Sequence, residues 1–206
     1  MHMINPRNRP PLRRRWRSRE GLLLGAVAIC IGVAAAQGPA HAEKPVTDAW
    51  ILVDAKTHTL SVFRDGRLLD RFHNVAIGRG GLSLDRMRGD ATTPLGTFHI
   101  DRIKRNSRFL VFFGIDYPRP EHALRALEAG RIDTEDYQRI ALASRNKKSP
   151  PQDTPLGGHL GIHGLGAGDR RIHDGFDWTQ GCIALTNEQI RRLSHWVSRG
   201  MRVEVR

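Results

Sequence analysis

Residues 178 to 187 read Trp178-Thr179-Gln180-Gly181-Cys182-Ile183-Ala184-Leu185-Thr186-Asn187. Cys182 at the centre of this stretch follows Ile162-His163-Gly164, and fifteen residues separate His163 from Thr179. That spacing lets two loop-linked elements fold back and place an imidazole beside a thiol. A thiol at its ordinary pKa is mostly protonated at neutral pH, so a nearby base must raise its thiolate fraction before it attacks efficiently. The stretch therefore predicts Cys182 as a nucleophile and His163 as its general acid and base.

The first 42 residues have the order of a secretory signal peptide. Residues 1 to 20 carry seven arginines and one acid, and residues 21 to 36 form an apolar run. Ala40-His41-Ala42 then supplies small residues at the two positions that a signal peptidase reads. The apolar run is short for a bilayer span, which takes roughly 20 residues. We predict cleavage after Ala42 and a folded domain over residues 48 to 206, exported to the periplasm or cell wall. An uncleaved anchor and either export route stay open.

Export changes how the charges and cysteines are interpreted. The full chain has 33 basic and 21 acidic residues, a net charge of +12. Without residues 1 to 42, 26 basic and 20 acidic residues would remain. A net charge of +6 suits binding to carboxylate-rich polymers as well as to phosphates. The sequence has no zinc-finger spacing, phosphate-binding glycine loop or aromatic RNA-binding motif, so we expect no nucleic-acid partner.

Removal of Cys30 with the signal peptide would leave Cys182 without an intramolecular partner. An unpaired cysteine in an exported protein indicates a reactive thiol, an intermolecular bridge or an inert buried thiol.

Alternation and turn patterns predict a mainly β domain with a few covering helices. Strands are expected at 50–53, 59–63 and 67–77 as an antiparallel meander, and then at 94–100, 109–115, 160–162 and 201–205. Helices are expected at 121–129, at 133–145 and from the capping-box pair Thr186 and Gln189 to about Val197. The glycine- and proline-rich segments 78–93 and 146–158 are interpreted as loops.

The residues around the cysteine resemble a known family. Thr179-Gln180-Gly181-Cys182, preceded by His163-Gly164, is similar to the catalytic motif of the L,D-transpeptidases, cysteine enzymes that modify peptidoglycan. The likeness includes residues 50–63 and 89–97 and covers most of residues 48 to 206. It implies a mixed β-sandwich or barrel of the L,D-transpeptidase type. Gln180 stands where many members have histidine, and residues 177–187 look like a subgroup that includes hydrolytic enzymes.

The resemblance also implies a reaction. Cys182 would attack the carbonyl between the third and fourth residues of a peptidoglycan stem peptide, the terminal D-alanine would leave, and an amine or water would resolve the thioester. His163 would move the protons while the Gly164 carbonyl orients its ring, and backbone N–H groups near Gly181 and Cys182 would stabilise the oxyanion. No cofactor is implied, and the membrane is contacted only through the signal segment before cleavage.

Four other residues are provisional candidates for contacts with substrate. Thr179 is placed to donate a hydrogen bond near the thiolate, Tyr117 lies at a strand end that can line a site, and Arg170 and Arg171 can hold a substrate carboxylate. Each also has a plainer interpretation. Tyr117 suits a half-buried position at a sheet rim, and the other three suit solvated loop positions.

Two alternatives of a different class remain open from the sequence. His159, His163, His173, Asp174 and Cys182 offer metal-ligand types, although structural zinc usually needs closer cysteine pairing. A wall-binding module without catalysis is the second alternative, and the presence of a thiol, an imidazole and a glycine together argues against it. Transfer and hydrolysis are not distinguished by the sequence.

Overall fold

The computed structural model describes residues 49 to 206, so the predicted signal peptide and Cys30 lie outside the described residues. The chain begins with three antiparallel strands, β1 (Ala49–Asp54), β2 (Thr59–Arg64) and β3 (Arg67–His73). Alternate residues of β1 are buried, as expected for a strand with one face on the core. The predicted meander is confirmed. β3 ends at His73 instead of residue 77, because Asn74 has a left-handed φ of 57° that turns the chain out of the sheet.

Seven further strands complete the β structure: β4 (Leu82–Ser83), β5 (Thr93–Pro94), β6 (Gly96–Ser107), β7 (Leu110–Ile115), β8 (Gly161–His163), β9 (Ile183–Ala184) and β10 (Arg202–Val205). Eight strands form one mixed sheet in the order β3-β2-β1-β10-β6-β7-β8-β9, while β4 and β5 pair separately. β10 inserts between β1 and β6, parallel to β1 and antiparallel to β6. The predicted mainly β class is therefore confirmed, and the sheet edge formed by β8 and β9 carries the predicted catalytic motifs.

Within residues 49 to 206, four helices cover the sheet: α1 (Pro120–Glu128), α2 (Thr134–Arg145), α3 (Arg170–Gly175) and α4 (Asn187–Leu193). Asp133 caps α2, and Thr186 and Gln189 form the predicted reciprocal capping box of α4. α4 ends before Val197, because the backbone from Ser194 onward changes to tighter bonds with the residue three positions earlier. The sequence did not predict α3, whose six residues are too few for a helical periodicity.

Buried apolar side chains from both the sheet and the helices form one core. The largest include Phe72, Phe98, Phe113, Ile51, Leu60, Ile100, Ile162 and Ile183. Burial of each such side chain contributes roughly 1.5–3 kcal/mol relative to exposure. Ile190 of α4 packs so close to Gly164 that a Cβ there would lie 2.7 Å from the Ile190 methyl carbon. This packing supports the end of β8, where His163 lies. Within residues 49 to 206, no helix is both long and apolar enough to cross a membrane.

Candidate active site

The sheet register brings the predicted nucleophile and base onto one face. β8 and β9 are parallel neighbours, with Ile162 opposite Ile183 and His163 opposite Ala184. Side chains two residues apart on a strand project to the same side. Extending the register by one residue places Cys182 beside Gly161 and diagonally across from His163, on the same face. The spacer between the two motifs contains α3 and returns the chain to the sheet edge.

The His163 ring is held in a single orientation. The residue is 2% exposed, and its Nδ1 lies 2.7 Å from the Gly164 carbonyl oxygen. Because that oxygen can only accept, Nδ1 carries the proton and Nε2 is left as the basic nitrogen. The ring stacks on Phe109 with centroids 4.0 Å apart and meets the edge of Trp178 at 6.0 Å. The Gly164 carbonyl therefore makes the contact with the ring that the family resemblance implied for it.

Burial sets the protonation states of the two groups. Burial lowers the pKa of His163 to about 4, against the opposing effect of the Gly164 hydrogen bond, and the nearby Arg108 charge lowers it further. Burial also raises the pKa of the Cys182 thiol, while the charges of Arg86 and Arg108 act in the opposite direction. At neutral pH the resting site therefore holds a protonated thiol and a neutral imidazole that can accept its proton.

The sulfur has a main-chain partner in the resting protein. Cys182 Sγ lies 3.7 Å from the His159 carbonyl oxygen and donates to it. Within residues 49 to 206, no hydrogen bond joins Sγ to the His163 ring. Catalytic hydrogen bonds of ligand-free enzymes are often long and tighten when substrate binds. A small rotation of the thiol away from His159 is thus part of the expected activation.

The low pKa of His163 predicts that acid destabilises the fold. Between pH 6.5 and about 4, this imidazole binds a proton in the unfolded chain but not in the folded one, so the free energy of unfolding falls as the pH falls. The contribution is up to about 3 kcal/mol, since one pKa unit corresponds to about 1.4 kcal/mol. Urea unfolding at pH 7 and pH 4.5 measures the difference.

The matched variants for this measurement are His163→Gln and His195→Gln, since His195 is exposed. The loss of stability between the two pH values should shrink in His163→Gln and stay as in the natural protein in His195→Gln. Some loss should remain in both, because burial also lowers the pKa of His122 and of His173. If stability depended on pH equally in the two variants, the low pKa assigned to His163 would be contradicted.

The loop before Cys182 is held by the side chain of Thr179. Thr179 Oγ1 donates to the Cys182 carbonyl oxygen at 2.6 Å and accepts from the Gly181 N–H at 3.1 Å. The predicted hydrogen bond of Thr179 thus goes to the main chain, and the residue is 3% exposed. Among the described residues, the Cys182 N–H has no acceptor. Because the Gly181 N–H is engaged, the Cys182 N–H is the group left to bind an oxyanion.

Gly181 is required by close approach of two loops. Its φ is 116°, a conformation that favours glycine, and a Cβ there would overlap the carbonyl oxygen of Thr92. The segment 78–93, interpreted from the sequence as a surface loop, therefore packs directly on residues 179–181, the loop before Cys182. Its backbone also pairs with that loop, since Arg79 N–H donates to the Thr179 carbonyl.

Arg86 joins three loops and was not found by the sequence reasoning. It is 5% exposed, and its guanidinium donates to the carbonyl oxygens of Leu156 at 2.6 Å, Thr92 at 2.9 Å and Gln180 at 3.3 Å. The Gln180 carbonyl belongs to the peptide unit whose N–H is bound by Thr179, so both ends of that unit are fixed. Arginine is mostly exposed in proteins, and one arginine in a charged loop gives no signal of burial.

Tyr117 lies in the core below this network. It is 1% exposed, and its hydroxyl lies 3.3 Å from the Arg86 carbonyl oxygen and 3.4 Å from that of Leu156. Burial raises its pKa to about 12, and the Arg86 guanidinium carbon sits 5.5 Å from its ring centroid. The structure thus places Tyr117 as a support of the Arg86 network, away from the surface that a substrate can reach. The strand end turns this residue inward rather than to the sheet rim.

Arg170 and Arg171 begin the short helix α3 and are exposed. Arg170 Nε lies 2.8 Å from Asp174 Oδ1, and Arg171 Nη2 lies 3.0 Å from Asp169 Oδ2. Each guanidinium is therefore paired with a carboxylate of its own helix or cap. Neither residue lines the two cavities that lie at His159.

The neighbouring acidic and aromatic residues have structural contacts. Asp177 Oδ1 accepts from the Ile77 N–H at 2.8 Å, and Trp178 Nε1 donates to His173 Nδ1 at 3.4 Å. Over residues 49 to 206, no group of three or more histidine, cysteine, aspartate or glutamate side chains is arranged to hold a metal ion.

Two cavities meet at His159, the residue whose carbonyl contacts the thiol. One, of about 570 Å³, is lined by Arg86, Arg88, Gln152, Asp153, Gly157, Gly158 and His159. The other, of about 460 Å³, is lined by Arg102, Lys104, Asn106, Ser107, Arg108, Phe109, Phe112 and His159. Both cavities therefore lie next to the residue whose carbonyl contacts the thiol, and both are lined by basic side chains. The site thus combines a thiol, a neutral imidazole with a fixed tautomer and a main-chain N–H without an acceptor among the described residues, with two cavities beside it.

Comparisons with known proteins concern the family and the fold of this chain. The model of the L,D-transpeptidase catalytic domain, called YkuD, matches residues 48–205. The solved structure of the helical cell shape determining protein Pgp2 from Campylobacter jejuni is similar, with a TM-score of 0.52 and 20% sequence identity over 76% of this chain and 46% of that chain. This similarity confirms the predicted fold type.

Two further solved structures match less well in shape. Bdellovibrio bacteriovorus Bd1075 has a TM-score of 0.46 and 15% identity over 78% of this chain and 47% of that chain. An L,D-transpeptidase from Mycobacterium smegmatis has a TM-score of 0.42 and 15% identity over 77% of this chain and 58% of that chain. This chain covers less than half the length of Pgp2. No curated protein matches it. From the family match over residues 48–205, with the fold and site described above, the chain belongs to the L,D-transpeptidase catalytic-domain family.

Proposed function

We propose that this protein is an exported cysteine acyltransferase that acts on the stem peptides of peptidoglycan. One observation carries the proposal. The Cys182 thiol and a neutral His163 imidazole lie on one face of the sheet at β8 and β9, and Nδ1 of the imidazole is bound to the Gly164 carbonyl. A buried neutral imidazole is a base, and a thiol that keeps its proton until substrate arrives is protected from unproductive chemistry.

The proposed first step forms a thioester. His163 Nε2 takes the thiol proton as Cys182 Sγ attacks the carbonyl between the third and fourth residues of the stem peptide. The resulting oxyanion binds the Cys182 N–H, which has no acceptor within the described residues. Loss of one such donor typically costs about 10²–10³ in rate. His163 then gives its proton to the departing nitrogen, and the terminal D-alanine leaves.

In the proposed second step an amine resolves the thioester. His163 Nε2, again neutral, takes a proton from the incoming amine, the amine nitrogen bonds to the acyl carbon, and the Cys182 thiolate leaves and is reprotonated. Two cavities share His159, whose carbonyl oxygen lies 3.7 Å from Cys182 Sγ, and this separate space for a donor segment and an acceptor segment supports transfer. Water in the acceptor position would make the same site an L,D-carboxypeptidase, or an amidase that releases wall-linked protein. Location in the periplasm or cell wall is part of the proposal, since the substrate is there.

Product analysis on purified muropeptides tests the proposal. The protein is incubated with disaccharide tetrapeptides, and the products are separated and identified by mass spectrometry. Release of D-alanine together with cross-linked dimers supports transfer, whereas D-alanine with tripeptides alone supports the hydrolytic alternative. No product from any stem peptide, with wall binding retained in Cys182→Ala, would overturn the enzyme proposal in favour of a binding module.

A further inference from the structure

The cavity of about 460 Å³ at His159 is lined by three basic side chains and two aromatic rings. Its cations are Arg102, Lys104 and Arg108, and its rings are Phe109 and Phe112. Lys104 and Arg108 are exposed, and within residues 49 to 206 neither has a carboxylate oxygen within 4.0 Å. Two positive charges therefore face this cavity without a protein counter-charge.

The charge of Arg102 is partly neutralised by a neighbouring carboxylate. Its Nε lies 3.4 Å from Asp101 Oδ1, and its Nη2 donates to Gln152 Oε1 at 3.4 Å. Asp101 is the one carboxylate close to these three cations among the described residues. The guanidinium carbon of Arg108 lies 4.7 Å from the centroid of the Phe109 ring, so this cation is held at the aromatic wall.

The cavity shares neighbours with the reacting groups. Phe109 and Phe112, which line it, stack against the His163 ring with centroid distances of 4.0 and 6.2 Å. His159 lies on its rim, and its carbonyl oxygen is 3.7 Å from Cys182 Sγ. A peptide whose carbonyl carbon meets Sγ can therefore extend over the aromatic rings toward Lys104 and Arg108.

We propose that this cavity is the subsite for a free carboxylate of the acyl-donor peptide, next to its scissile bond. The inference rests on the proposed function and adds a specificity to it. Lys104 and Arg108 bind the carboxylate. The aliphatic part of the donor residue that carries this carboxylate packs on Phe109 and Phe112. The role predicted for Arg170 and Arg171 is thus assigned to the β6–β7 hairpin, whose free cations are not already paired with carboxylates of their own helix.

The test compares two donor peptides that differ only in this carboxylate, one free and one amidated. The natural protein should use the free-carboxylate donor with a kcat/KM about 10- to 100-fold higher, since hydrogen bonds to charged groups are worth about 1.5–3 kcal/mol. In the double variant Lys104→Met/Arg108→Gln this preference should disappear through a higher KM for the free-carboxylate donor, while the KM for the amidated donor should be the same in both proteins. Loss of the Arg108 charge near Cys182 and His163 should change kcat by the same factor for the two donors, so it leaves the comparison between them intact.

Two other double variants complete the experiment. Arg67→Gln/Arg191→Gln removes the same number of charges at exposed positions on β3 and α4 and should keep the preference. The inference is overturned if Lys104→Met/Arg108→Gln keeps the natural preference, or if Arg170→Gln/Arg171→Gln loses it. If the natural protein cleaves neither donor, the proposed function itself fails, and that result is distinct from failure of the subsite.

Discussion

Replacement of Cys182 by alanine is expected to abolish acylation of the protein by a tetrapeptide donor, lowering the rate by about 10⁴-fold or more. The reason is that the sulfur lone pair forms the new bond to the acyl carbon, and alanine offers no atom in its place. Cys182 is the free cysteine of the described residues, so no second thiol there can substitute. Rescue of the reaction by His163 alone is not expected, because the imidazole is buried and bound to Gly164.

Intact-protein mass spectrometry measures this effect. After incubation with the donor, the natural protein should gain the mass of the acyl group, and peptide mapping should place it on Cys182. Cys182→Ala should gain nothing while keeping the natural thermal unfolding temperature within a few degrees. A retained adduct in the alanine variant, or an adduct mapped to another residue, would remove Cys182 from the mechanism.

Replacement of Arg86 by methionine is expected to have the largest effect on stability. The buried guanidinium serves three main-chain carbonyls, those of Leu156, Thr92 and Gln180, and methionine leaves them without this donor. An unsatisfied buried group costs about 1–3 kcal/mol, so we expect a loss of about 3 kcal/mol, with part of the cost relieved by the Tyr117 hydroxyl at Leu156. This corresponds to a decrease in Tm of roughly 10 °C for a domain of this size.

Arg88 is the matched control for this substitution. It also donates to main-chain carbonyls, those of Gln152 and Thr154, but it is exposed, so water can replace it. Arg88→Met should therefore lose less than about 1 kcal/mol. Arg86→Met should in addition raise the pKa of the Cys182 thiol, because the Arg86 charge acts to lower it. Iodoacetamide labelling of the thiol as a function of pH measures this shift. Equal stability of the two methionine variants would contradict the role given to Arg86.

The parts of the fold that depend on neighbouring residues were predicted well. The β1–β2 hairpin follows from alternation over a few residues, and the caps of α2 and α4 follow from Asp133 and from the Thr186–Gln189 pair. These signals act over two to four positions of the chain, where side-chain chemistry and backbone geometry are directly linked. The strand that ends in His163 was predicted in the same way, from three residues between two loops.

The errors share one cause, which is packing between segments far apart in sequence. Tyr117 was expected at a rim, and it is buried because Arg86 and Leu156, 31 and 39 residues away, close over it. The long segment 78–93 was expected at the surface, and it lies against the loop before Cys182. β6 is twelve residues long because its hairpin with β7 continues past residue 100. Burial of this kind depends on which loops meet, and composition does not report it.

The sequence by itself determined the mainly β class, most strand and helix positions, the family resemblance and the pairing of Cys182 with His163 as a hypothesis. These rest on local periodicity, capping and one motif with a characteristic spacing. Tertiary structure alone decided the insertion of β10 between β1 and β6 and the burial of Arg86 among carbonyls up to 94 residues away. It also decided that the Gly181 N–H is bound by Thr179 and which arginines lie near the thiol. The physical reason is that each of these depends on contacts between distant segments, whose free energy is set only when the whole chain is folded.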